Sequence, residues 1–155
     1  MGEDGRPVTR VTTSDAETQE LGQRLGCTLQ GGTYVLLHGE LGAGKTAFVR
    51  GLARGLGIDP DEVSSPTFTL VQQYAGRLVL QHVDLYRIDR AFDVEELGLE
   101  ELARGGAVVA IEWAERLAEP VSGRVVRVVL RDLGDDRREV TISRATTPWP
   151  AFNPG

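Results

Sequence analysis

The stretch Gly39-Glu40-Leu41-Gly42-Ala43-Gly44-Lys45-Thr46 limits what this chain can fold into more than any other. It reads Gly, four residues, then Gly-Lys-Thr, which is the phosphate-loop pattern. Its glycines let successive backbone N–H groups converge on phosphate oxygens where a Cβ would stand in the way. Such a loop needs a strand before it and a helix after it, whose positive end aims at the same point. The flanks supply both. Tyr34-Val35-Leu36-Leu37-His38 reads as a short buried strand, and Phe48, Val49, Leu52, Ala53 and Leu56 form a helical apolar stripe that Gly57 can end. The expected phosphate cradle is Glu40, Leu41, Gly42, Ala43, Gly44, Lys45, Thr46 and Ala47. Within it Lys45 reaches the β- and γ-phosphates and the Thr46 hydroxyl ligates Mg²⁺.

Lys45 is also the only lysine among 17 basic side chains. A chain that otherwise uses arginine throughout keeps one compact ammonium where a planar guanidinium would not fit. A rival pattern overlaps the loop: Gly42-Ala43-Gly44-Lys45-Thr46-Ala47 also matches the dinucleotide fingerprint G-x-G-x-x-A. That fingerprint wants an acidic residue at the end of a second strand about 20 residues on. The corresponding region, Asp59-Pro60-Asp61-Glu62, reads as a loop instead.

The length of 155 residues suits one domain with a real core, and 41% hydrophobic with 26% charged residues is ordinary for a soluble globular protein. One cysteine, Cys27, excludes an internal disulfide framework and points to a reducing cytoplasm; it reads as a small buried residue near a helix end. No apolar run approaches a membrane span, and the charged start does not read as a signal peptide. The net charge of −6 argues against a large self-sufficient nucleic-acid surface, whose affinity would come from neutralising phosphates. Any role with RNA is expected to run through a partner.

Along the chain, residues 1–12 read as a flexible N-terminus. Ser14-Asp15-Ala16-Glu17 is a capping box opening a helix with Leu21, Leu25 and Leu29 on its apolar face. Asp15 or Thr18 is a candidate for the base side of the nucleotide pocket. Val63-Ser64-Ser65-Pro66-Thr67 reads as a hydroxyl-rich loop, in the position where such hydrolases close a mobile segment over the γ-phosphate; Thr67 or Ser65 suits that contact. Phe68 to Tyr74 and Leu78 to Asp84 read as strands joined by a tight Ala75-Gly76-Arg77 turn. Asp93 to Gly98 and Leu99 to Leu102 read as two short acidic helices. Ala107-Val108-Val109-Ala110-Ile111-Glu112 is continuously apolar, as a central strand covered on both faces should be. Two strands therefore end in carboxylates, Asp84 and Glu112, of which one serves Mg²⁺ and the other the attacking water. Trp113 either stacks near the base or shields the site. His38 and His82 read as packed histidines. Val125 to Leu130 and Glu139 to Ser143 read as a terminal hairpin carrying a local cluster of arginines, Arg124, Arg127, Arg131, Arg137, Arg138 and Arg144, which balances surface charge and of which one could reach a nucleotide or a neighbouring RNA.

Together these elements predict a single α/β domain of phosphate-loop (P-loop) NTPase type over residues 13–144. It has a mostly parallel central sheet flanked by helices, a C-terminal β-hairpin, and a flexible tail at 145–155. At this point the chain resembles one family, the TsaE (also called YjeE) ATPases of bacterial tRNA threonylcarbamoyladenosine biosynthesis. The resemblance rests on the phosphate loop, Ser65-Pro66-Thr67-Phe68-Thr69-Leu70-Val71, His82-Val83-Asp84-Leu85-Tyr86-Arg87, Glu96-Leu97-Gly98-Leu99 and Ile111-Glu112-Trp113, in order, from about Thr13 to Ser143. It implies an Mg²⁺-dependent ATPase cycling between ATP and ADP. Its implied partners are the transferase TsaD and its companion TsaB, with tRNA met only through the complex and no membrane. It also implies catalytic roles for Lys45, Thr67, Asp84 and Glu112, with Glu112 as Mg²⁺ ligand, Asp84 orienting water, Thr67 as a switch residue, and Trp113 important for activity. Ala47 and Val83 depart from the family's commoner Thr and Phe without removing a catalytic group.

Three alternatives compete. A regulatory GTPase selects guanine with Asn-Lys-x-Asp, which cannot occur where the sole lysine is in the phosphate loop. A small-molecule P-loop kinase would carry a mobile lid with arginines, whereas Ala91 to Arg104 is acidic with only Arg104 inside it. A non-hydrolysing nucleotide-bound scaffold would tolerate loss of Asp84 or Glu112.

Overall fold

In a computed structural model of the chain, the described residues are 6–40, 42–64, 71–86, 98–117, 121 and 123–146. The strands are β1 (Val8–Thr12), β2 (Thr33–His38), β3 (Val71–Tyr74), β4 (Leu80–Asp84), β5 (Val108–Glu112), β6 (Arg124–Gly134) and β7 (Arg137–Thr146). The helices are α1 (Asp15–Thr28), α2 (Lys45–Gly55) and the short α3 (Leu99–Ala103), with 3₁₀ turns at Pro60–Glu62 and Ala114–Arg116.

All seven strands form one sheet in the order β1-β7-β6-β2-β5-β4-β3. The expectation of a mostly parallel sheet holds for its centre. Strands β6, β2, β5 and β4 are parallel, whereas both flanks are antiparallel: β3 on β4, and β7 on β6 and β1. The sheet is therefore mixed. The central strands alternate faces as a pleat requires. Val35, Leu37, Val108 and Ala110 join α1 and α2 in one core, while Tyr34, Leu36, Val109 and Ile111 join Leu99 and Val121 in the other. Both faces of β2 and β5 are covered, which is why they read as unbroken apolar runs.

Several expectations change. The start of the chain is not unstructured through residue 12: Val8–Thr12 forms β1, held by backbone pairing along β7 with Val8 opposite Ile142. Its side chains are mostly exposed, so no apolar alternation announced it. Strand β7 runs to Thr146, two residues into the expected tail. Strand β4 begins at Leu80 rather than Leu78, and β3 is described from Val71. Both hairpin strands outrun their expected limits and turn at Asp135-Asp136, each with positive φ (54° and 62°). The expected Thr67 and Ser65 loop, residues 93–97 of the expected acidic helix, the 147–155 part of the tail and Leu41 of the phosphate loop lie outside the described residues, while Gly98 caps α3 with a φ of 73°.

Helix α1 starts as its capping box dictates. The Ser14 Oγ accepts the Glu17 N–H at 3.1 Å, and Glu17 reaches back, one residue further than expected, to the Thr13 N–H at 2.7 Å and hydroxyl at 2.8 Å. The expected face holds, with Leu25 and Leu29 buried and the half-buried Leu21 packed against the same core, and beside it Thr18, Gly22 and Gly26 are buried as well. Cys27 lies one position past Gly26 and is exposed, against the expectation that it is buried. The glycines exist for close approach: ideal Cβ atoms on Gly22 and Gly26 would meet the backbone carbonyls of Phe48 and Leu52 in α2.

Candidate nucleotide site

Strand β2, the phosphate loop and α2 follow one another as the motif requires. Gly42 and Gly44 have φ of 82° and 97°, a region in which a side chain is strained. Gly44 is the N-cap of α2 and offers no side-chain cap, so the first N–H groups of the helix are left for an external acceptor. The buried stripe of α2 (Phe48, Val49, Leu52 and Ala53) anchors it against the sheet and fixes the direction in which its start points.

Lys45, the first residue of α2, is 5% exposed. Its Nζ donates to the loop's own carbonyls, Gly39 O at 2.5 Å and Glu40 O at 2.9 Å. It also stands 4.0 Å from the centroid of the Trp113 ring, a cation–π contact. Burial pulls the ammonium below the usual lysine range, opposed by the carboxylates of Glu112, Glu115, Asp84 and Glu40. Trp113 thus lies at the phosphate end of the loop. Its φ of 60° turns the chain sharply after β5, and its ring packs on Tyr86 with centroids 5.1 Å apart.

The two strand-end carboxylates stand side by side. Strands β4 and β5 are parallel neighbours in which Asp84 is the register partner of Glu112. By the period of two, His82, Asp84, Ala110 and Glu112 all face the side of the sheet that carries α2. The Thr46 hydroxyl donates to Glu112 Oε1 at 3.3 Å. Asp84 is half-buried, and its Oδ1 accepts the Tyr86 N–H at 2.9 Å. Burial, with help from the Glu112 charge, raises its carboxyl above the usual aspartate range; the Tyr86 hydrogen bond, His82 and Lys45 oppose the rise.

Among the described residues no group of three or more His, Cys, Asp or Glu forms a ready-made metal cage. The donor set still suits Mg²⁺ on a nucleotide, which takes one or two carboxylates and leaves the remaining positions to phosphates and water. A hydroxyl and a carboxylate already within 3.3 Å of each other are hard oxygen donors of that kind.

Of the sequence-derived site residues, Lys45, Thr46, Asp84, Glu112 and Trp113 come together here. Glu40, Gly42, Ala43, Gly44 and Ala47 line or support the loop, with Ala43 and Ala47 turned into the protein. Asp15 reaches the same place indirectly, through an ion pair with Arg138. Thr18 does not: it is fully buried and shares a 2.7 Å hydroxyl contact with Thr12. Thr67 and Leu41 lie outside the described residues.

Two residues were not singled out. Arg138, read within a basic cluster of which one arginine could reach a nucleotide or RNA, lies against Gly44, where an added Cβ would come within 2.8 Å of its Cδ. No sequence signal separates it from the other hairpin arginines. His82, read as a packed histidine, is indeed fully buried, but its Nε2 sits 2.5 Å from Glu112 Oε2. Its position two residues before a strand-end Asp was the available clue. His38 is held neutral: burial, with Arg127 and Lys45 nearby, pushes it down to about 3, so its 3.8 Å approach to Glu115 is not an ion pair.

Among the described residues no helix is long and apolar enough to cross a membrane. Residues 12–140 match the family model described as threonylcarbamoyl adenosine biosynthesis protein TsaE. The tRNA threonylcarbamoyladenosine biosynthesis protein TsaE of Treponema pallidum is 44% identical over 133 residues, covering 86% of this chain and 98% of that protein. The Bacillus subtilis protein of the same name is 38% identical, covering 85% and 82%. The crystal structure of Bacillus subtilis YdiB superposes with a TM-score of 0.70 at 32% identity, over 92% of this chain and 88% of that one. With its strand, glycine loop and helix presenting Lys45 and Thr46 to paired strand-end carboxylates, and with residues 12–140 matched in this way, the chain belongs to the TsaE family.

Proposed function

We propose that this protein is an Mg²⁺-dependent ATPase acting in tRNA N6-threonylcarbamoyladenosine formation at position 37. In this reading it hydrolyses ATP to ADP and phosphate to sustain turnover of a TsaD and TsaB transferase complex, and meets tRNA only through that complex. The observation that carries the reading is the convergence of Lys45, Thr46, Glu112 and Asp84 on the N-terminus of α2. The glycine loop and the open N–H groups of α2 bind the phosphates. Lys45 leaves the carbonyls of Gly39 and Glu40 to meet the β- and γ-phosphates. Thr46 and Glu112 hold Mg²⁺, which neutralises charge on the phosphate oxygens when bound. Asp84, with its raised carboxyl, orients the attacking water. Trp113 shields the phosphate end from bulk water. Positioning and electrostatics do most of the work in such transfers, because the protein forms no covalent bond.

The test is ATP hydrolysis by the purified chain, alone and then with TsaD, TsaB and tRNA. Slow turnover that rises with the partners, and falls about 10²-fold or more in Lys45→Ala, is expected. Turnover indifferent to those partners would leave a phosphate-loop ATPase of another pathway. Absence of nucleotide binding would overturn the reading altogether.

A further inference from the structure

We propose that His82 is a positioning residue that fixes the Glu112 carboxylate for the metal; the proposal rests on the Mg²⁺–nucleotide reading above. Glu112 is 3% exposed, and a buried carboxylate needs donors. The described donors to it are two, on different oxygens: His82 Nε2 at 2.5 Å to Oε2, and the Thr46 hydroxyl at 3.3 Å to Oε1. The imidazole contact is the shorter and the more rigid. At that distance two bare lone pairs would repel, so Nε2 carries a hydrogen and donates it. His82 Nδ1 is buried with no hydrogen-bond partner among the described residues. The contact to Glu112 through Nε2 is thus the hydrogen bond that the described residues give this ring.

The strand register makes this contact. Asp84 pairs with Glu112, and His82 pairs with Ala110 one step back along the same face. Ala110 carries only a methyl group, so the imidazole has room to lean toward Glu112. The result is a division of labour within one carboxylate. Oε2 is tied down from below, and Oε1 is presented upward to Thr46 and the phosphate loop. Partners of this kind fix ligand orientation and are worth 10–100-fold in metal affinity. His82 does not touch nucleotide or water in this scheme; it acts through Glu112.

The test compares the full chain with His82→Leu, which removes the donor, and His82→Gln, which returns an N–H near the Nε2 position. Mn²⁺ replaces Mg²⁺ so that free metal can be counted by electron paramagnetic resonance, with ADP as the nucleotide. The expected result is metal binding to the protein–ADP complex about tenfold or more weaker in His82→Leu, largely restored in His82→Gln, with metal-free ADP affinity in EDTA unchanged within about twofold. Equal metal affinity in all three proteins would overturn the role of His82 alone. So would parallel losses of metal binding, metal-free ADP binding and melting temperature, which would mean that His82 only fills the core. An unsubstituted protein that binds ADP with no contribution from Mn²⁺ would overturn the Mg²⁺–nucleotide reading and the role of His82 with it. A readout needing no variant is the ring proton of His82 in the metal-free protein. A downfield, exchange-protected Nε2 proton supports the hydrogen bond to Glu112, and a rapidly exchanging one overturns it.

Discussion

Replacing Gly51 by alanine sets two effects of opposite sign against each other. Gly51 lies inside α2, where alanine is the better helix former by about 1 kcal/mol. On propensity alone the variant should be more stable. The structure predicts the reverse. An ideal Cβ on Gly51 would stand 1.9 Å from the Gln19 carbonyl oxygen of α1, whereas ordinary contact begins at 3.4 Å. Gly55 meets the Gln23 carbonyl in the same way, and Gly22 and Gly26 face back at Phe48 and Leu52. The obstruction is helix backbone on both sides, so no side chain can swing aside and the helices must separate. Overpacking of this kind typically costs about 1–3 kcal/mol and sometimes more, and a rigid backbone clash belongs at the upper end. After subtracting the propensity gain, a net loss of about 2 kcal/mol remains, or a melting temperature lower by roughly 4–8 °C for a chain of this size. Thermal unfolding followed by circular dichroism reads it directly. Because α2 begins at Lys45, the same displacement should weaken ADP binding. A Gly51→Ala protein that melts at or above the parent temperature would refute the close-packing argument and leave propensity as the controlling term.

Asp84→Asn should lower ATP turnover about 10²–10⁴-fold, as expected for loss of a water-orienting carboxylate, in a steady-state phosphate-release assay. The same change should raise the melting temperature at neutral pH, because the ionised Asp84 is disfavoured in the fold by burial and by Glu112. That penalty is present above the raised folded pKa and is relieved as pH falls through it, so the gain in Asp84→Asn should shrink toward pH 4. His38, neutral in the fold down to about 3, takes a proton only in the unfolded chain once pH drops below its ordinary 6.5. Stability should therefore be unaffected by this group above pH 6.5 and fall below it, by about 2 kcal/mol at pH 5, with a flatter urea-denaturation pH profile in His38→Gln. Ser14→Ala should cost about 1 kcal/mol through loss of the N-cap of α1, read by urea denaturation.

Where structure follows from local chemistry, the sequence was enough. The phosphate loop, the stripe of α2, the buried run of β5 and the two strand-end carboxylates each declare themselves within about ten residues. What escaped depends on which elements become neighbours. That His82 leans on Glu112 follows from the register of β4 on β5, and that Arg138 lies on Gly44 follows from where the hairpin docks. The leucine face of α1 was legible, with Leu25 and Leu29 buried and Leu21 packed against the core, but its tightest contact uses glycines, which carry no hydrophobic signal. Strand β1 escaped because an edge strand held by backbone pairing needs little side-chain pattern, and Cys27 because one helical step separates a buried position from an exposed one.

The pairing of β1 with β7 joins position 8 to position 142. Chains are made from the N-terminus, and local elements can form as soon as they emerge. Strand β2, the phosphate loop and α2 are therefore finished early, yet β2 finds its two parallel partners only when β5 and β6 arrive, and β1 waits for β7. A nascent chain that has already exposed its Walker-type loop still lacks Glu112 and carries β1 as an unpaired strand. Closing these long-range pairings is slow relative to helix formation. Lys45, Thr46, Asp84 and Glu112 therefore come together only once β5 has slotted between β2 and β4, so the candidate site is assembled by the pairing of the central strands rather than by the arrival of the loop.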